Sequence, residues 1–294
     1  MMKATLFGTV ILLLGFMYGC TELLINDSSE KQMGRVTVSL TDAPFPGDLV
    51  EEVNVTIDWI KFKITADEGT EDETDFVVIE VDKTFNLLEL VNGTTELLGV
   101  KEIPFGTYSE IRMHVTEAKI KLKGSKEEMN IKIPSGSSSG LKIKIKPDLV
   151  VSEDVSQVLL DFDVSRSFIV QGNSTSNGSN GKVGEIKGFI FNPVIRAANV
   201  AWAGKLSGIV EKKDDNEIQD FIKNAHIYVI SPDNPEEIIA TGKTDENGFY
   251  KIIGIPAGMY NITCEKGDYN IESEPVSVEI LAGKEAKLDF KLNF

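Results

Sequence analysis

Residues 53–64, VNVTIDWIKFKI, and residues 111–122, IRMHVTEAKIKL, decide the fold class of this chain. In an extended strand successive side chains point to opposite faces, so Val53, Val55 and Ile57 share one face. Ile60, Phe62 and Ile64 continue that face after a one-residue slip at Trp59-Ile60. The second stretch behaves alike. Ile111, Met113 and Val115 alternate, then Ala118, Ile120 and Leu122 resume out of phase. One extra residue in a strand makes a β-bulge, which bends a long strand around a core.

Working outward, period-two alternation recurs and helical periodicity is scarce. Residues 129–133 and 141–146 are shorter strands whose lysines mark a wet face, so each sheet is expected to bury one side only. Turn signals separate them at Asn92-Gly93, Pro104-Phe105-Gly106, 134–140 and 172–181. Near Trp202-Ala203-Gly204 the pattern restarts, with short strands expected at 206–210, 225–230, 238–241, 248–254, 258–266, 274–280 and 286–294. The last of these alternates strictly, with Leu288, Phe290, Leu292 and Phe294 on one face. Lysine-bearing strands and the lack of aromatic girdles argue against a membrane barrel. The expected architecture is all-β: two tandem antiparallel β-sandwich domains, at 34–200 and 203–294.

The 294 residues carry a net charge of −16, which argues against nucleic acid and anionic lipid as partners. The acidic run at 67–75, DEGTEDETD, lacks the spacing of a calcium loop and reads as a solvated loop. There are two cysteines and two histidines, so a zinc site is not expected, nor is any other metal or cofactor.

The N-terminus carries an address. A charged start at Lys3 precedes an apolar run at 4–16 and then Met17-Tyr18-Gly19-Cys20. The run is shorter than the ~20 residues a spanning helix needs, so it reads as a cleaved signal peptide, residues 1–19. Gly19-Cys20 resembles the bacterial lipobox, in which the cysteine becomes the acylated first residue; Met17 and Tyr18 depart from its usual pattern. The resemblance implies lipidation at Cys20, a polar tether at 20–33, and a lipid-anchored envelope protein, at the outer membrane. With Cys20 acylated, Cys264 has no partner. It alternates with Tyr260 and Ile262, and reads as a small core residue.

Two longer resemblances follow. Residues 34–199 resemble the domain of unknown function numbered 4382. The resemblance rests on Val38-Ser39-Leu40-Thr41-Asp42-Ala43-Pro44, Leu87-Leu88-Glu89-Leu90, Ile103-Pro104-Phe105-Gly106-Thr107-Tyr108, Leu160-Asp161-Phe162-Asp163 and Pro193-Val194-Ile195-Arg196. It implies no activity. Residues 203–294 resemble the carboxypeptidase regulatory-like domain, a transthyretin-type sandwich related to carbohydrate-binding-like folds. Here the residues are Gly208-Ile209-Val210, Thr244-Asp245-Glu246-Asn247-Gly248-Phe249-Tyr250 and Ile255-Pro256-Ala257-Gly258-Met259-Tyr260. Asn247-Gly248 is expected to supply the positive φ angles of a tight hairpin. The resemblance implies a non-catalytic appendage.

No catalytic set emerges. Gly136-Ser137-Ser138-Ser139-Gly140 matches the literal G-x-S-x-G string, but it lies between two strands rather than on a strand–helix elbow. His114 and His226 read as ordinary strand residues. Asp161 and Asp163 project from one strand face and are expected to meet Arg112, Arg166 or Arg196 in a polar network. Asp42 is expected to fix the turn that ends the first strand. Trp202, Tyr250 and Tyr269 are the candidate ligand platform. The expected function is a non-enzymatic envelope lipoprotein presenting binding or adhesion modules, with a glycan or protein ligand. The alternative is an assembly subunit similar to the fimbrial lipoproteins of Bacteroidetes. Those polymerise by strand exchange after proteolysis behind a basic residue, and the resemblance offers Arg35, just before the first strand, as such a site.

Overall fold

A computed structural model describes residues 32–43, 49–64, 76–133, 139–172, 186–213, 220–269 and 271–294. The described chain is nearly all β, as the alternation requires. Its largest sheet has nine strands. Eight lie along the path β3 (Phe76–Asn86), β2 (Val50–Ile64), β5 (Gly106–Leu122), β7 (Leu141–Val151), β11 (Ile195–Asn199), β8 (Ser156–Asp163), β1 (Met33–Ala43) and β4 (Glu96–Pro104). The ninth, β6 (Glu128–Asn130), pairs with β5. The end strands β3 and β4 approach each other, tied by Lys83 and Glu96 at 3.1 Å, so the sheet rolls around its own core.

The two phase slips are bulges. The β2 register shifts between Ile57 and Trp59, leaving Asp58 extra, and β5 shifts between Val115 and Glu117. Val53, Val55, Ile57, Ile60 and Phe62 are consequently all buried on one side of β2. On β5 the same holds for Ile111, Met113, Val115, Ala118, Ile120 and Leu122. A ribbon of β9 (Phe168–Gly172) and β10 (Ile186–Phe191) adds Phe168, Phe189 and Phe191 to this core. Phe191 stacks at 4.8 Å on Phe168.

The C-terminal lobe packs two further sheets. The first comprises β15 (Phe249–Pro256), β12 (Ala203–Lys212), β19 (Glu285–Lys287) and β20 (Phe290–Leu292). The second comprises β14 (Ile238–Lys243), β13 (His226–Ile230), β16 (Gly258–Lys266), β17 (Ile271–Glu272) and β18 (Val276–Ile280). Their shared core includes Leu206, Ile227, Tyr250, Ile262, Cys264 and Phe290. The strictly alternating C-terminal stretch is two short strands, both parallel to β12. The bend between them lets Asp289 Oδ1 accept from Ile209 N at 2.8 Å.

Three details depart from the sequence pattern. Pairing is not wholly antiparallel, since β1 runs parallel to β8 and β7 parallel to β11. Alternation reports faces, not strand direction. Strand β8 is buried on both faces, because the C-terminal lobe covers the side that carries Leu159 and Asp161. At the β14–β15 turn only Gly248 takes a positive φ, +69°. Asp245 replaces the expected Asn247 contribution, its Oδ1 accepting from Asn247 N at 2.8 Å and Phe249 N at 2.9 Å.

Candidate functional site

Two places gather polar chemistry: the junction of the lobes, and a groove at the far end of β12. At the junction Asp161 and Asp163 leave the same face of β8, as alternation predicts. Arg196, opposite Asp161 on β11, donates from Nη2 to Asp161 Oδ2 at 2.6 Å. Its guanidinium also reaches Ile253 O at 3.3 Å and Gly254 O in the C-terminal lobe. Asp163 N-caps the four-residue helix α1 (Val164–Ser167), accepting from Arg166 N at 3.0 Å. Arg166 Nε returns to Asp163 Oδ2 at 2.7 Å, while its Nη1 donates to Ile238 O at 3.3 Å. Thr241 Oγ1 donates to the same carboxylate oxygen at 3.3 Å.

Burial pushes the Asp161 carboxyl upward, and the Arg196 guanidinium pulls it back. Each arginine therefore holds a carboxylate of the first lobe while capping carbonyls of the second. Leu159, Ala198, Ala203 and Ile253 close the apolar part of the seam. The arrangement is a clamp. It leaves no carboxylate pair facing an open cleft, which acid/base catalysis by Asp161 and Asp163 would require.

The second place is a cavity of about 840 Å³ beyond the distal ends of β12 and β16. A short segment beside β12 presents Phe221, held by Ile222 N donating to Val210 O and by a bridge to Glu211. Tyr269 stands in the 3-10 turn after β16 and Phe294 after β20. The Tyr269 and Phe294 rings meet edge to face at 5.1 Å, and Lys212 Nζ lies 5.4 Å from the Phe294 centroid. All three rings are exposed, Tyr269 to 61% and Phe294 to 49%. Asn224, Asn293, Lys223 and Lys266 supply polar groups around them. A volume of this size, walled by aromatic rings with a few amides and amines, suits a ligand of several rings.

The candidate residues thus separate. Asp161, Asp163, Arg166 and Arg196 come together as expected, but Arg112 does not join them. It pairs with Glu110 on its own strand at 3.1 Å. Asp42 reaches far along the chain: its Oδ1 accepts from Val164 N at 3.1 Å, tying β1 to the start of α1, while the turn after Ala43 lies outside the described residues. Tyr250 is no platform, being fully buried with its hydroxyl donating to Leu288 O at 2.6 Å. Trp202 is 59% exposed, and its carbonyl accepts from Ala257 N at 2.9 Å.

Tyr269 alone of the three reaches the groove, joined by Phe221, which lies outside every strand expected from the sequence, and by Phe294, which alternation places on one face with Leu288, Phe290 and Leu292. Phe294 escapes the core because β20 ends two residues earlier, at Leu292. Arg35 lies within β1, paired opposite Glu102, and not before the first strand.

Cys264 is buried, and burial pushes its thiol up to about 12, as befits a core residue. His114 Nδ1 meets Asp58 Oδ2 at 2.9 Å, and its ring stacks on Trp59 at 4.9 Å. Cys20, Ser138, the acidic run at 67–75 and residues 173–181 lie outside the described residues.

Residues 33–178 match the model of a domain of unknown function, DUF4382. The matched stretch holds β1 to β9, whereas β11, beyond it, completes the sheet between β7 and β8. No curated protein matches the chain. Among solved structures, the TIE protein of Bacillus anthracis shares 13% identity over 88% of this chain, at a TM-score of 0.26. The chain spans 34% of that protein. GBS52, the minor pilin of Streptococcus agalactiae, shares 10% identity over 87% of this chain and 95% of its own, at 0.27. BcpA, the major pilin subunit of Bacillus cereus, shares 12% over 88% and 99%, at 0.24. So distant a likeness assigns neither architecture nor activity.

Proposed function

Starting from a DUF4382 domain at residues 33–178, we propose that this protein is a non-enzymatic lipoprotein of the cell envelope. It is anchored through Cys20 and presents its C-terminal lobe, a carboxypeptidase regulatory-like sandwich, as a glycan-binding module. The observation that carries the reading is the open groove with exposed Phe221, Tyr269 and Phe294. Aromatic rings stack on the apolar faces of sugars while neighbouring amides and amines meet the hydroxyls. The clamp at the junction supports the same reading. It spends Asp161 and Asp163 on holding the lobe rigid, and a rigid lobe loses less entropy on binding.

The test is a glycan array with the intact protein, followed by calorimetry on the strongest ligand. The wild type is expected to bind a defined set of oligosaccharides, and Tyr269→Ala with Phe294→Ala to lose at least tenfold in affinity, about 1.4 kcal/mol. Equal binding by that variant, or no glycan bound at all, sinks the proposal. Labelling with a radioactive fatty acid, lost in Cys20→Ala, checks the anchor independently.

A further inference from the structure

At one end of the large sheet β7 and β11 finish, β8 and β1 begin, and β4 finishes, all on adjacent paths. That end exposes Val150, Val155 and Met33. The 3-10 turn that continues β11 adds Trp202, whose carbonyl binds the turn before β16. The C-terminal lobe then extends the row with Met259 and with Leu281, whose carbonyl packs against Gly204. Six large exposed apolar side chains from both lobes thus lie along one end, where single scattered ones are the norm.

We infer that this end is a lipid-facing surface, seated on the bilayer that holds the acylated Cys20. The inference rests on the lipoprotein reading proposed above. The chain enters the folded body at Gln32, whose carbonyl accepts from Phe105 N at this same end. Gln32 lies only twelve positions after Cys20, twelve peptide steps along the chain. Fully extended they reach about 40 Å, so the lipid surface is never farther from this end than roughly one domain diameter.

Such tethering turns a weak surface contact into an intramolecular one, with a high effective concentration. Trp202 is the residue type that settles at the headgroup level. Exposed Glu153 and Asp154, in the turn just before Val155, and the chain's net charge of −16 select a zwitterionic over an anionic surface. β12 leaves this end at Ala203 and reaches the aromatic groove at Lys212, nine residues or about 30 Å away. Seating this end on lipid therefore keeps the groove clear of it.

The full acylated protein reconstituted in zwitterionic vesicles that contain brominated phosphatidylcholine gives the test. Trp59 and Trp202 are the only tryptophans, so Trp202→Phe supplies the Trp59 baseline. Bromolipid is expected to quench the wild-type emission and to leave the Trp202→Phe emission unchanged. Val155→Asp with Leu281→Asp is expected to float with the vesicles but lose most of the quenching, as is the wild type when anionic lipid is added. A protein that floats without Trp202 being quenched overturns the seating and leaves the anchor standing. A protein that does not float at all overturns both.

Discussion

Glu110 accepts from Arg112 Nε at 3.1 Å and from Lys144 Nζ at 2.9 Å while its own side chain is nearly covered. Burial pushes its carboxyl up, but the hydrogen bonds from Lys144 and Arg112 outweigh this and hold it below the usual range. A carboxyl depressed by folding stabilises the protein above its unfolded pKa of about 4.3, and that contribution is lost as pH falls through the folded value. Glu110→Gln is therefore expected to cost about 1 kcal/mol at pH 7, with Lys144 largely exposed, and less at about pH 3, below the unfolded pKa. Urea midpoints at the two pH values measure both. At this scale the sequence showed that Asp161 and Asp163 share a face. Which arginine meets which carboxylate was hidden, because Arg196 and Arg112 differ only in where long-range pairing carries them.

Single elements were the most legible part. A slip in alternation is what an extra residue produces, so the bulges in β2 and β5 were readable near Trp59-Ile60 and between Val115 and Ala118, while pairing shows the extra residues to be Asp58 and Thr116. Strand boundaries near 258–266 followed from the same period. The C-terminal stretch was misjudged as one strand, since alternation continues through the bend at Leu288-Asp289. That bend fits tightly over β12: a Cβ placed on Gly208 would lie 1.8 Å from Leu288 O. Gly208→Ala is expected to cost about 2–3 kcal/mol in thermal or chemical denaturation, through displacement of the C-terminal strands. Lys205→Ala, on the exposed side of the same strand, should stay within about 0.5 kcal/mol of wild type.

For the molecule as a whole, the two lobes share one seam made of Leu159, Ala198 and Ala203 together with the Arg166 and Arg196 bridges. Breaking a buried ion pair leaves an uncompensated charge and costs about 3–5 kcal/mol. The intact protein is accordingly expected to unfold in one calorimetric transition. Arg166→Met with Arg196→Met should unfold in two, the earlier belonging to the lobe with the smaller core. Two transitions in the wild type would show that the lobes behave as independent beads and that the clamp carries little.

The amino-acid sequence alone determined the β class, the bulged strands, the restart near Ala203 and the shared face of the two aspartates, because each depends on residues a few positions apart. Tertiary structure decided the strand directions, the burial of Tyr250, the grouping of Phe221, Tyr269 and Phe294, and the clamping of one lobe to the other. These depend on pairings between residues tens of positions apart, to which a local period is blind.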